Sequence, residues 1–191
     1  MRVRGTIVVF LVATLLLVGC SKGDDEKDAA PSAGASIPDQ PAGPDGKEFC
    51  AKVPKDLITA AIEAPYRTYD AIPLKDFPSP GVTGYECQWE WQNPAGDVRN
   101  LKIDAISFDG SLDGSLDASW KGTVDLLGTQ GEPVDDVGDE AVSAKLQGLV
   151  TLSARKGQWQ VTAVSSSKGA VSPASIDTLA SVTNEVLKVA D

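Results

Sequence analysis

Between Tyr85 and Gln92 the chain alternates without a break. Tyr85, Cys87, Trp89 and Trp91 take the odd positions, and Glu86, Gln88, Glu90 and Gln92 the even ones. A period of two is that of a β-strand with one buried and one wet face, so Cys87 is expected in the core between Tyr85 and Trp89. Asn93-Pro94-Ala95-Gly96-Asp97 reads as a turn and Leu101 to Phe108 as the return strand. Elsewhere the period is helical. Leu57, Ile58, Ala61 and Ile62 follow Pro54, which suits the first turn of a helix, and Ala64-Pro65 ends the run. Leu112, Leu116, Trp120, Val124 and Leu127 predict a second helix, although Gly114 and Gly122 each weaken it by about 1 kcal/mol. Val134 to Val142 holds an acidic turn leading into a strand. A hairpin follows: Leu149 to Arg155, a Lys156-Gly157 turn, and Gln158 to Val164. The last helix is expected with Ser172 as cap, Pro173 at its first position, and a stripe of Ile176, Leu179, Ala180, Thr183, Val186 and Leu187. Helix, two strands, helix, about three strands, helix describes an α+β domain, a mostly antiparallel sheet flanked by helices.

One apolar stretch fits neither period. Ile7 to Val18, broken only by Thr14, follows Arg2 and Arg4 and runs into Gly19-Cys20. It falls short of the roughly 20 residues that span a bilayer and has the make-up of an export signal. Leu17-Val18-Gly19-Cys20 resembles a lipobox, in which the cysteine thiol accepts the acyl chains and becomes the new amino terminus. The expected organisation is a lipoprotein signal over 1–19, a lipidated Cys20 opening a disordered linker to 47, and a single extracytoplasmic domain over 48–191. The linker, Ser21 to Lys47, is rich in Asp, Ala, Pro, Ser and Gly, and Ile37 is its one large aliphatic residue. As a flexible coil it would reach roughly 30 Å from the membrane.

The chain has three cysteines and no histidine among 191 residues. With Cys20 acylated, Cys50 and Cys87 remain as one pair outside the cytoplasm, where disulfides persist. Their bridge would close a loop of about 38 residues, valued at roughly 4 kcal/mol by the loss of unfolded-chain entropy. The lack of histidine removes the commonest general base and metal ligand. A net charge of −10 repels phosphate backbones, so nucleic acid is not an expected partner.

Several short patterns could carry chemistry, and each has a simpler reading. Ser165-Ser166-Ser167-Lys168 matches the S-x-x-K of penicillin-binding enzymes without the S-D-N and K-T-G elements that chemistry needs, and it falls at a strand end. Asp109, Asp113 and Asp117 recur every four residues and could face a hard cation, but the EF-hand spacing is missing and a helix amino terminus welcomes acids in any case. Asp135, Asp136, Asp139 and Glu140 could supply an acid/base pair for glycoside hydrolysis, yet sequence neighbours on a turn seldom face each other across a substrate. Trp89, Trp91, Trp120 and Trp159 could line a lipid or sugar pocket, but each stands on the apolar side of its element. No catalytic, cofactor-binding or metal site is assigned, and no cofactor is expected.

The order of these parts resembles the uncharacterised envelope lipoproteins of actinobacteria. Those parts are Cys20, Cys50, Cys87-Gln88-Trp89, Val137 to Val142, Leu149 to Val164 and the last helix, and the resemblance covers most of 48–189. It implies a compact α/β sandwich of PsbP-like form and no established enzymatic activity. The long segment with Pro73, Pro78 and Pro80 departs from it. The expectation is a non-enzymatic binding or accessory lipoprotein, lipid-anchored on the extracytoplasmic face of the cell membrane. Its partner would be an envelope protein or a small apolar ligand. The alternatives are a cell-wall-polymer hydrolase using carboxylates of the Asp135 loop, and a structural or sensory partner of a membrane protein.

Overall fold

The computed structural model of the chain describes residues 46–75, 81–108 and 115–190, all within the unit Gln40–Asp191. The signal, Cys20 and nearly all of the linker, together with Asp109, Leu112, Asp113, Pro78 and Pro80, lie outside the described residues. Along the chain come α1 (Gly46–Ala51), α2 (Lys55–Ile62), β1 (Arg67–Lys75), β2 (Val82–Gln92), β3 (Val98–Phe108), α3 (Ser115–Leu127), β4 (Glu132–Pro133), β5 (Glu140–Leu146), β6 (Leu149–Lys156), β7 (Trp159–Lys168) and α4 (Ile176–Ala190). The strands form one antiparallel sheet in the order β1-β2-β3-β7-β6-β5-β4. Two meanders therefore meet at the β3–β7 pair. The α+β expectation holds.

Register decides which residues share a face. Cys87 pairs with Ile103, Ile103 with Ala163, Ala163 with Leu152 and Leu152 with Ser143. Trp89 likewise pairs with Leu101, and Leu101 with Ser165. This face carries the main core, closed by Phe49 and Val53 at α1, by Ile58, Ala61 and Ile62 of α2, and by Leu179, Val182, Val186 and Leu187 of α4. Each fully buried Leu or Ile there contributes roughly 1.5–3 kcal/mol. Cys50 and Cys87 are joined with their Cα atoms 5.7 Å apart, tying α1 to β2.

α3 crosses the opposite face. Trp120 is its one buried residue, while Leu126 is 86% exposed. Arg155 of β6 fastens it: the guanidinium lies 5.7 Å from the centre of the Trp120 ring, pairs with Asp117 in the first turn, and reaches Glu140 at 2.8 Å. A helix held by one ring, one cation and one hydrogen bond, from Gln160 to Thr123, should open more easily than the sheet beneath it. Arg155→Ala is expected to speed amide exchange along α3 by about tenfold while β6 and β7 stay protected. Unchanged protection of α3 would mean that Trp120 and the Thr123–Gln160 hydrogen bond suffice without it.

Several local expectations are corrected. Cys50 lies within a short helix of its own, α1, which precedes the helix expected after Pro54. The Pro-rich stretch contains β1, and a two-residue strand, β4, precedes β5. The hairpin pairs Lys156 with Trp159, so its turn is Gly157-Gln158, one residue later than expected. α4 begins at Ile176, and Ser175 is its cap, accepting the Thr178 N–H at 3.1 Å. Ser172 instead gives its carbonyl to Arg99 Nε at 2.9 Å.

Candidate functional site

The even positions of β2 and β3 that the core leaves over lie side by side. Glu86 pairs with Asp104, Gln88 with Lys102 and Glu90 with Asn100. β7 continues the row, Asp104 beside Thr162 and Ile106 beside Gln160. The result is a polar strip on the α3-bearing face. α3 bounds it at Gln160, whose Nε2 donates to Thr123 Oγ1 at 2.9 Å. β1 bounds it on the other side, where Tyr69 pairs with Gln88 and Arg67 with Glu90. Arg67 stands 5.2 Å from the centre of the Tyr69 ring. The Tyr69 hydroxyl donates to Glu90, and this bond to a carboxylate raises its pKa.

Lys102 is the hub. Its Nζ lies 2.9 Å from Glu86 Oε2 and 3.4 Å from Asp104 Oδ2. Burial opposes the ammonium form, but the two carboxylates outweigh it and the Lys102 pKa is raised. Asp104 is pushed up as well, first because burial penalises its charge; Lys102 opposes that shift and Glu86 adds to it. Thr162 is occupied by Ser153, their hydroxyls 2.9 Å apart.

Three buried oxygens on this strip have no hydrogen-bond partner: Asn100 Oδ1, Asp104 Oδ1 and Gln160 Oε1. Gln160 is 6% exposed. A buried acceptor left without a donor costs about 1–3 kcal/mol. All three oxygens are enclosed by the protein itself. A fourth, Thr183 Oγ1, belongs to α4 and lies away from this face.

A carboxylate raised by burial should weaken the fold. Asp104 holds its proton to higher pH folded than unfolded, so stability falls as pH rises through that interval and stays lowered above it. Asp104→Asn is therefore expected to raise stability at neutral pH, by up to about 1 kcal/mol, and to remove this pH dependence. Urea unfolding at pH 4 and 7 checks it. A loss of stability in the variant at pH 7 would show that its ion pair with Lys102 outweighs desolvation.

The residues singled out from the sequence sit elsewhere. Cys50 and Cys87 are joined within the core. Ser165 is fully buried and its Oγ accepts the Ala174 N–H at 2.8 Å, pinning the approach to α4. Asp117 is engaged with Arg155. Asp139 accepts the Gly157 N–H at 3.1 Å and Glu140 pairs with Arg155, which lowers the Glu140 pKa. Two of the four carboxylates near the Asp135 turn thus hold structure together. Trp89 is buried and Trp91 and Trp159 half-buried on the core face, while Trp120 is buried on the α3 face. A hollow of about 240 Å³ beside β5, lined by Gln130, Glu132, Ser143, Ala144, Lys145 and Ile176, is mostly polar. Among the described residues no group of three acids or cysteines could hold a metal ion, and no helix is long and apolar enough to cross a membrane. The polar strip was visible in the sequence as alternation, Asn100-Leu101-Lys102-Ile103-Asp104, but its burial was not.

Compared with family models, with curated proteins and with solved structures, the chain matches none.

Proposed function

We propose that the protein is a binding or accessory module of the cell envelope, tethered by a lipidated Cys20 to the extracytoplasmic side of the membrane, and that it engages another envelope protein through the strip from Glu86 to Gln160. One observation carries this reading. One sheet face is committed to packing and the disulfide, while the other carries a half-buried row of charged and polar side chains, Glu86, Gln88, Glu90 and Lys102, beside one another on β2 and β3. The charged character of the strip suits a protein surface better than a small apolar ligand, which needs an enclosed apolar cavity. The lipobox and the linker support the location, and the Cys50–Cys87 bridge suits an oxidising compartment.

The test is site-specific photo-cross-linking in intact cells. A photoreactive residue at Gln88 is expected to capture a discrete envelope protein, and one at Asp177, exposed on α4, is not. Equal capture from both positions, or none from Gln88, would sink the reading. Radiolabelled acyl chains on the native protein, lost in Cys20→Ala, would check the tether.

A further inference from the structure

We infer that the hollow beside β5 binds a small free amino acid, its carboxylate held by Lys145 and its ammonium by Glu132. This site is independent of the strip. Ser143 pairs with Leu152, so its side chain stands on the core face, whereas the strip lies on the opposite one.

Register gathers the lining. Glu132 of β4 pairs directly with Ser143, and Lys145 follows two positions along β5, so all three side chains rise on one side of the sheet edge. They meet at a hollow of about 240 Å³ that Gln130, Ala144 and Ile176 complete. Ser143 is 1% exposed and sets a hydroxyl at its deep end, while Glu132 and Lys145 are exposed. Among the described residues, neither Glu132 nor Lys145 is engaged in an ion pair.

Opposite charges on one hollow select the ligand. An anion alone is repelled by Glu132 and a cation alone by Lys145, whereas a zwitterion satisfies both. Glu132 and Lys145 are diagonal neighbours, with Cβ atoms about 7 Å apart. Two charge-assisted hydrogen bonds of about 2.8 Å leave only a short gap between parallel side chains at that spacing. An ammonium and a carboxylate carried on one carbon fit it. Volume agrees, since the hollow falls below the roughly 300–1,000 Å³ of sites for drug-sized ligands. Ile176 supplies one apolar wall for a short aliphatic side chain.

The backbone offers a second pair of partners. The Val134 N–H donates to the Ala141 carbonyl at 3.1 Å, so alternate residues of β5 from 141 onward turn their polar groups toward β4. Lys145 belongs to that series, but β4 extends no further than Glu132, opposite Ser143. The Lys145 N–H and carbonyl therefore point off the open side of β5, where Lys145 lines the hollow. One donates to a carboxylate and the other accepts from an ammonium.

The probes are L-alanine, propionate and ethylamine, each titrated into the full chain in detergent. Propionate is alanine without its ammonium, and ethylamine is alanine without its carboxylate. L-Alanine is expected to bind saturably, with a Kd at or below about 1 mM, and to shift the backbone amide resonances of Ser143, Ala144 and Lys145. Propionate and ethylamine should each bind at least about tenfold more weakly. Glu132→Gln and Lys145→Met change exposed side chains and should each weaken L-alanine by about tenfold. Lys52→Met removes an exposed cation elsewhere and should leave its affinity unaltered. Absence of saturable L-alanine binding would overturn the inference. Propionate or ethylamine binding as tightly would do the same, since one charge would then suffice. Equal weakening by Lys52→Met would also sink it, by reducing the effect to overall charge.

Discussion

Replacing Cys50 and Cys87 together by serine should lower the unfolding free energy by about 4 kcal/mol, read as a fall in the urea midpoint with the native fold retained in weak denaturant. The bridge spans 37 positions of the chain, enclosing the end of α1, all of α2 and β1, and half of β2. Tying those ends together removes conformations from the unfolded chain, and 4 kcal/mol is a large share of what a small domain has. The native side loses as well. α1 has six residues, too few to persist without tertiary support. Its Phe49 ring stacks on Tyr85 with centroids 4.4 Å apart, and the cysteines beside it are 7% and 1% exposed. Freed from β2, α1 would uncover Tyr85 and the core side of β2 around position 87. The double substitution avoids the stray thiol a single one would leave. A loss below about 1 kcal/mol would mean that packing alone holds α1 and that the covalent link is dispensable.

What could be read beforehand divides along physical lines. Strand β2 was legible because strict alternation fixes both the element and its buried side, and the same parity put Cys87 in the core. The stripe of α4 was legible because Leu179, Thr183, Val186 and Leu187 repeat at helical spacing; Val182 completes the buried face. α1 was hidden in a polar neighbourhood whose only large apolar residues are Phe49 and Val53, and it exists because Phe49 and Cys50 find β2, a tertiary effect no local pattern carries. β1 was masked by Pro73, which an edge strand tolerates because one side of its ladder is unpaired. Ser172 and Ser175 are both fair caps by composition. The choice fell to Ser175 because Arg99, 73 positions away, takes the Ser172 carbonyl. The candidate site follows the same rule. Its residue types showed in the alternation of β2 and β3, but the desolvation that raises Asp104 and isolates Gln160 comes from α3 and the neighbouring strands.

The acidic turn that once suggested catalysis is better tested as a clasp, through Gly138→Ala. Gly138 has φ of 59°, and a Cβ built there would stand 2.5 Å from the Arg155 carbonyl oxygen and 3.3 Å from Leu187 Cδ1. The same oxygen accepts the Asp139 N–H at 2.8 Å. Any methyl at 138 must push the turn off β6 and break that bond. On either side, Val137 is buried in the core, the Asp136 carbonyl accepts from Asn184 of α4 at 3.0 Å, and Asp139 caps Gly157. The Val137 to Glu140 stretch thus fastens the β6–β7 turn to α4, and glycine is required by close approach as well as by its backbone angle. Gly157→Ala separates the two causes. Gly157 has a similar φ of 56° but nothing within 4 Å of its Cβ position, so it should lose only the left-handed penalty of about 1 kcal/mol. Gly138→Ala should lose about 3 kcal/mol, with faster exchange at Asp139 and in the last turn of α4. If the two variants proved equally stable, the Arg155 carbonyl would have to yield freely, and the turn could not be the fastening it is taken to be.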